Sequence, residues 1–146
     1  ALSEGSKVKA LLTSPRRRTK QLANLLAQRL NLNLLEEERL AEMDFGEWEG
    51  NLWDDVPKSA IDLWTKDFNN HAFGGGESTG QLLDRVWQLM KNAKNRNEDQ
   101  IWVTHAGVIK AVKFLINTGE PYIKSAADWP LETTNFGDWI IVDVTT

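Results

Sequence analysis

The chain alternates short apolar runs with longer segments in which apolar residues recur at helical spacing. An apolar run that ends at Ser14 and Pro15 predicts a buried strand over Lys7–Thr13. Gln100–Thr104 predicts another strand, and Trp139–Thr145 a third, because that segment is rich in β-branched residues.

Between these runs the periodicity predicts four amphipathic helices. We expect the first to run from about Pro15 to Leu30, with the proline in its first turn. The apolar positions of the four helices are, in order, Leu22, Leu25, Leu26 and Leu30; Ile61, Trp64 and Phe68; Leu82, Leu83, Val86, Trp87, Leu89 and Met90; and Val108, Ile109, Val112, Leu115 and Ile116.

The third helix has a start signal and the fourth a stop signal. Ser78 and Gln81 form a capping box, and we expect the helix that they open to end near Lys94. Thr118 and Gly119 end the fourth helix. Strands separated by such helices predict a three-layer α/β fold, in which a mainly parallel sheet carries helices on both faces of a single domain over residues 1–146.

Composition narrows the function classes. The 146 residues are 41% hydrophobic, contain no cysteine and carry a formal charge of −4. Without cysteine the sequence has no disulfide framework, zinc ribbon or cysteine nucleophile. The longest apolar runs are about four residues, far below the ~20 that cross a bilayer. We therefore expect no membrane role and a cytoplasmic location.

Arginine side chains cluster where the first strand gives way to the first helix. Arg16, Arg17 and Arg18 lie in the first turns, where the helix dipole disfavours cations unless an anion is bound. Guanidinium groups and the N–H groups of a helix N-terminus both bind phosphate. The cluster indicates a small anionic ligand, and the alternative is a solvated basic helix face. The acidic net charge disfavours nucleic acid as a partner.

A second strand-to-helix junction carries a histidine. His105 lies between Thr104 and the small residues Ala106 and Gly107, which let a ligand approach the backbone. An imidazole at this position is placed to contact a bound anion or to transfer a proton. The alternative is a histidine that only hydrogen-bonds at a strand end. His71 lies in a polar loop without metal-binding spacing to His105, so we expect no metal site.

Four carboxylates lie among aromatic residues between the first and second predicted helices. A carboxyl group beside apolar rings is a candidate general acid. The alternative is a solvated loop that Phe45 and Trp48 anchor. The four acidic residues are Glu42, Asp44, Glu47 and Glu49.

Four segments match, in order, the motifs of one known family. Ser14–Ala23 is similar to S-P-x-x-R-A-x-Q-T-A, and Glu42–Gly50 to E-x-D-F-G-x-W-E-G. Gly75–Ser78 matches a G-G-E-S turn, and Thr104–Ile109 is similar to S-H-G-G-V-I. Together they resemble the histidine phosphatase superfamily, which has the phosphoglycerate-mutase-like fold. The departures from these motifs are Thr19, Leu22 and Ala106, where the family has Ala, Thr and Gly.

This resemblance implies hydrolysis of a phosphomonoester without a metal or cofactor. It places Ser14, Arg18 and Ala106 in the binding of a small phosphorylated substrate. It places Glu42 at the general acid and His105 at the second active-site histidine. The oligomeric state stays open.

The family's R-H-G segment, which supplies the nucleophilic histidine and a further phosphate-binding arginine, has no counterpart in this sequence. In the family it ends a strand in the middle of the sheet, and Ala1–Gly5 looks like the end of the helix that follows it. We therefore interpret the chain as N-terminally incomplete. We expect it to be part of a longer polypeptide and to be inactive alone.

Among the branches of the superfamily, the segment Glu42–Gly50 looks most like that of α-ribazole phosphatases, which remove a 5′-phosphate from a nucleotide-like precursor in cobalamin biosynthesis. Sugar-phosphate phosphatases, fructose-2,6-bisphosphatases and phosphoglycerate mutases share much of the pattern. The stretch Trp53–Phe73 has no obvious basic pocket for a second phosphate, which disfavours a bisphosphorylated substrate. A non-catalytic phosphate-binding or interaction module is the alternative from another class.

Overall fold

The structure, a computed structural model, describes residues 8–132, 135 and 137–144. Its regular elements alternate between strands and helices. The strands are β1 (Val8–Thr13), β2 (Leu34–Glu36) and β3 (Asp99–Val103), and the helices are α1 (Arg17–Leu30), α2 (Lys58–Lys66), α3 (Thr79–Arg96) and α4 (Ala106–Thr118). Within this part of the chain, none of the helices has the length and apolar character needed to span a membrane.

The three strands form a parallel sheet in the order β2-β1-β3. Thr13, the last residue of β1, is in register with Glu36 on one side and with Val103 on the other. All three strands therefore end at the same edge of the sheet. In open parallel sheets this is the edge where ligands bind.

Helices cover both faces of the sheet. Leu11 of β1 packs with Ala23 of α1 on one face. Ala10 and Leu12, whose side chains alternate with that of Leu11, belong to the larger core that α3 and α4 build on the other face. The predicted α/β class, the parallel sheet and the helices on both faces are confirmed.

The packed face of α1 differs from the predicted leucine stripe. Thr19 and Ala23 are buried, whereas the side chains of Leu22 and Leu25 are 46% and 59% exposed. Leu26 is partly buried and packs against the sheet. Small side chains let a helix lie close to a sheet, and a count of large apolar residues does not detect such a face.

The predicted helix boundaries hold to within a few residues. The Ser78–Gln81 capping box is confirmed, with reciprocal hydrogen bonds of 2.9 and 3.1 Å. The helix that it opens ends at Arg96, two residues later than expected. Gly119 ends α4 with a φ of 73°. Phe68 lies just beyond α2, which ends at Lys66, but it is still buried.

The strand predictions were wrong in two places. β2 has three residues, too few to show a period, and was missed. The strand expected over Trp139–Thr145 is wrong for residues 139–144, which form no strand. Thr145 lies outside the described residues, as do Lys7 and Ala1–Gly5. Side chains of high β-propensity favour a strand only where a neighbouring strand pairs with them, and the described part of the chain places none beside 139–144.

Two tight turns, residues 46–48 and 73–75, pack against each other beside the sheet edge. Gly46 has a φ of 57° and approaches Gly74 so closely that a methyl group on Gly46 would overlap the Gly74 backbone. Next to them, the N–H of Glu77 donates to the carbonyl of Asp44 at 2.8 Å. The two turns are thus fixed to each other through backbone contacts that only glycine permits.

We predict that Gly46→Ala lowers the free energy of unfolding much more than Gly50→Ala. Gly50 also has a positive φ, 78°, but an added methyl group there meets nothing within 4 Å. Gly50→Ala therefore measures backbone strain alone, about 1–2 kcal/mol. Gly46→Ala adds overpacking of about 1–3 kcal/mol. Urea unfolding of the two variants makes the comparison, and equal losses would show that the contact between the turns is not tight.

Candidate active site

A cavity of about 660 Å³ lies at the carboxyl edge of the sheet. Its walls come from the start of α1, the connection between β2 and α2, the turn before α3 and the start of α4. The lining residues are Arg16, Arg17, Arg18, Gln21, Glu42, Phe45, Trp48, Glu49, Gly50, Asn51, Trp53, Val56, Phe73 and His105.

The three arginines form one end of this cavity. α1 begins at Arg17, so the predicted first-turn position of Pro15 is wrong and the proline precedes the helix. The Thr19 hydroxyl donates to the carbonyls of Ser14 (3.0 Å) and Arg16 (2.8 Å), which fixes the turn between β1 and α1. No acidic residue stands in the first turn of α1. The guanidinium charges and the helix N-terminus together favour an anion at this end.

His105 enters the cavity from the junction between β3 and α4. It is 7% exposed, and its Nε2 lies 2.8 Å from the Oγ of Ser14, which is fully buried at the end of β1. Burial is the largest cause that lowers the pKa of His105; the charge of Glu42 opposes the shift, and those of Arg18 and Arg16 add to it. The neutral imidazole is therefore favoured until an anion lies beside it.

Glu42 faces His105 across the start of α4. Its Oε1 accepts from the N–H of Met43 at 2.9 Å, and its Oε2 accepts from the N–H of Gly107 at 3.2 Å. A methyl group on Gly107 would overlap Oε1 of Glu42, so the carboxylate needs glycine at this position. Two backbone donors thus hold the carboxylate at the N-terminus of α4, where the helix dipole favours it.

Other side chains, which the sequence did not single out, hold the Glu42 segment in place. The Thr104 hydroxyl donates to the carbonyl of Leu40 at 2.6 Å. Arg85 donates to Glu77 through Nε and Nη2 at 2.7 and 3.0 Å, and to the carbonyl of Arg39 at 2.7 Å. The signals for these contacts were the G-G-E-S turn, which contains Glu77, and the motif that begins at Thr104. The arginine partner of Glu77 is eight positions further along α3, on a face that the periodicity marks as polar.

The opposite wall of the cavity is aromatic. Phe45, Trp48, Trp53 and Phe73 line it, together with Val56. Rings of this kind bind apolar or planar groups rather than a phosphate. The cavity therefore has a charged end and an apolar end.

The predicted site residues fall into two groups. Arg18, Glu42 and His105, which are far apart in sequence, line one cavity. Ser14 and Ala106 adjoin it: Ser14 through its contact with His105, and Ala106 as the first residue of α4. Among the described residues, His71 is not part of the lining, and no group of three or more His, Asp or Glu residues is placed to hold a metal ion.

This arrangement, with guanidinium groups at one helix start and a buried imidazole near a carboxylate at another, is suited to an anion at the sheet edge of an α/β protein. The chain belongs to the histidine phosphatase superfamily (branch 1), which it matches over residues 1–127. The family that the motifs indicated is thus confirmed.

Two curated relatives are similar to this chain over part of their length. Phosphoserine phosphatase 1 of Hydrogenobacter thermophilus is 28% identical over 107 residues, which are 70% of this chain and 51% of that protein. An uncharacterized phosphatase of Bacillus subtilis is 28% identical over 117 residues, 79% of this chain and 56% of that protein. The chain spans about half the length of the curated relatives it matches.

Solved structures of the superfamily share the fold. The α-ribazole phosphatase of Shigella flexneri superposes with a TM-score of 0.61 at 23% identity, over 78% of this chain and 60% of that one. A mycobacterial glucosyl-3-phosphoglycerate phosphatase superposes with a TM-score of 0.61 at 23% identity, over 73% and 57%. The phosphoglycerate-mutase-like architecture expected from the motifs is therefore confirmed.

We predict that the free energy of unfolding decreases as the pH falls below about 6.5, the ordinary pKa of histidine. The lowered pKa of His105 means that the unfolded chain binds a proton more readily than the folded one. This contribution to stability is complete above the unfolded pKa and is lost as the pH falls towards the folded one. Urea unfolding at about pH 7.5 and pH 5.5 measures it.

The matched control is His105→Gln, which removes the titrating group and keeps an amide near Ser14. Its free energy of unfolding should change less over the same pH range. An equally steep change in this variant would assign the pH dependence to other groups.

Proposed function

We propose that the complete protein containing this chain is a phosphomonoester phosphatase that works through a phosphohistidine and needs no metal. The observation that carries this proposal is the single cavity that Arg18, Glu42 and His105 share. Membership of the histidine phosphatase superfamily supports the reaction class. We further propose that it acts in the cytoplasm on a small phosphorylated substrate.

The arginine end of the cavity receives the phosphoryl group. Arg18 binds it through two parallel N–H bonds, and the amide of Ala106 at the start of α4 donates to a further oxygen. His105, held by Ser14, completes the set and gains a proton more easily once the dianion is bound. Donors fixed in advance in this way stabilise the charge of the transferring group.

Glu42 supplies the proton that the leaving group needs. A histidine nitrogen attacks phosphorus, the ester P–O bond breaks, and the alkoxide takes the proton of Glu42. Water then attacks the phosphohistidine, its proton returns to Glu42, and inorganic phosphate leaves. The position of the carboxyl group between Met43 and Gly107 supports this role, because it faces the cavity from a fixed place.

The attacking histidine comes, in this proposal, from the R-H-G segment of a longer polypeptide. One observation supports this: the chain covers about half of the length of its curated relatives. The three described strands end at the same edge of the sheet, so a further parallel strand in this sheet would also end where the cavity lies.

For the substrate we favour α-ribazole 5′-phosphate or a similar nucleotide-like phosphomonoester, within cobalamin biosynthesis. The aromatic wall of the cavity supports a large, flat leaving group. The arginines that line the cavity lie together at the start of α1, which supports a single phosphate over a bisphosphate. A sugar-phosphate phosphatase or phosphoglycerate mutase of the same superfamily is the alternative within the class.

A non-catalytic phosphate-binding module is the alternative from another class, since the arginines that line the cavity would bind phosphate with or without turnover. Phosphatase assays on the product of the complete native reading frame discriminate the two. Turnover supports the enzyme. Binding of inorganic phosphate without turnover of any phosphomonoester overturns it.

We predict that Glu42→Gln in that complete protein lowers kcat by about 10²–10⁴-fold, because the leaving alkoxide is no longer protonated. His105→Ala should lower kcat by about 10²–10³-fold, since one donor to the phosphoryl oxygens is lost. His71→Ala is the matched control, because this histidine does not line the cavity. Equal activity of the His71 and His105 variants would contradict the assignment.

We also predict that Gly107→Ala separates activity from stability. Alanine is the better helix former, so stability should not fall. The added methyl group displaces the carboxylate of Glu42, which can swing away on its flexible side chain. We expect kcat to fall at least tenfold while the unfolding midpoint in urea is unchanged or raised. A fully active variant would show that the contact between Gly107 and Glu42 is not needed for proton transfer.

A further inference from the structure

The cavity is much larger than a phosphate group requires. Its volume of about 660 Å³ lies within the range of about 300–1,000 Å³ that is typical of sites for drug-sized ligands. The arginines, Glu42 and His105 account for one end only. The rest of the cavity must therefore receive the part of the substrate that leaves after the phosphoryl group is transferred.

Four aromatic rings form a stacked cluster beside this second end. The rings of Phe68 and Trp64 stack at 5.0 Å and 22°, those of Trp64 and Phe73 at 4.4 Å and 23°, and those of Phe73 and Trp53 at 5.9 Å and 24°. Phe45 fixes Trp53 from the side with an edge-on contact at 5.5 Å and 81°. The rings of Trp53 and Trp64 also lie face to face, at 6.3 Å and 14°, so Trp53, Trp64 and Phe73 form a triangle of rings. The planes of all four rings are roughly parallel.

The aromatic cluster meets the cavity at Phe73 and Trp53. Phe68 and Phe73 are buried, whereas Trp53 is 54% exposed and lines the cavity wall. An indole that is held in place by other rings loses little conformational entropy when a ligand covers it. A planar aromatic ring of the ligand would continue the stack at the exposed Trp53.

The charges near Trp53 restrict the ligand further. Asp54 and Asp55 follow Trp53 directly and are exposed, and Glu49 lines the cavity. A second anionic group on the leaving part of the substrate would be repelled here. These charges disfavour a carboxylate or a second phosphate on the leaving group.

We propose that Trp53 is a specificity-determining residue, which stacks on a planar aromatic ring in the leaving group of the phosphomonoester. This inference rests on the proposed function, since it assumes that the arginine end holds the phosphate. It assigns the exposed indole to the recognition of a nucleobase-like ring rather than to catalysis.

Two compounds with the same leaving oxygen test this assignment. Adenosine 5′-monophosphate and ribose 5-phosphate both release a ribose 5′-hydroxyl, so the same kind of P–O bond breaks in each. They differ in the aromatic base, which only the nucleotide carries. In the complete protein we expect kcat/KM to favour the nucleotide by at least tenfold. In Trp53→Ala this ratio should fall about tenfold, and in Trp53→Phe, which keeps a ring, it should largely return.

Leu52→Ala is the matched control. Leu52 precedes Trp53 and is 72% exposed, but it does not line the cavity. The ratio should be unchanged in this variant. A wild-type protein that turns over both compounds equally well, or a Trp53→Ala variant that keeps the full preference, overturns the inference and leaves the phosphatase proposal intact.

Calorimetric binding of the same two compounds separates the two proposals further. If neither compound is hydrolysed but the nucleotide binds at least tenfold more tightly in a Trp53-dependent way, the stacking role stands, and the phosphatase proposal is decided by the assays on other phosphomonoesters. If both bind with equal affinity, the stacking role falls whatever the activity.

Discussion

The parallel pairing of β1 with β3 is the constraint on which the whole site depends. It brings Ser14 and His105, which are 91 positions apart, to within 2.8 Å of each other at one edge of the sheet. Each strand then leads directly into a helix, so the N-termini of α1 and α4 open into the same space. Two helix N-termini at one edge create a positive potential, to which Arg16, Arg17 and Arg18 add their charge.

This positive potential favours the carboxylate of Glu42, although Glu42 lies in neither of the two strands. It lies in an irregular connection, and its place is fixed by the N–H groups of Met43 and Gly107 and by the contact between Thr104 and the Leu40 carbonyl. Thr104, directly before His105, thus holds the segment that carries Glu42, and Gly107, two positions after His105, binds the carboxylate itself. The imidazole and the carboxylate are a structural unit, although they occur in segments 63 positions apart.

The fold could be predicted from sequence where one local signal was strong, as at the Ser78–Gln81 capping box and at Gly119. The prediction failed where neighbours decide the structure. Leu22 and Leu25 have helical spacing, yet the smaller Thr19 and Ala23 are the buried residues of α1. Close packing depends on how well side chains fit as well as on their size. The four motifs, together with the tendency of ligands to bind at the carboxyl ends of parallel strands, indicated Arg18, Glu42 and His105. No pattern in the sequence connects Arg85 to Glu77 or shows that four aromatic rings form a stacked cluster.

The glycine contact between the turns at 46–48 and 73–75 divides the connection between β2 and α2 into two parts, which are held in different ways. The part up to about residue 48 is fixed by this glycine contact and by the hydrogen bonds of Glu42. From Gly50 to Val56 the backbone hydrogen bonds are local ones between residues 48 and 56, and the ring of Trp53 packs on Phe45. Exchange of residues in this second stretch reshapes part of the cavity wall without moving Glu42. The architecture thus joins a fixed frame to an interchangeable loop, where a few substitutions change the shape of the cavity.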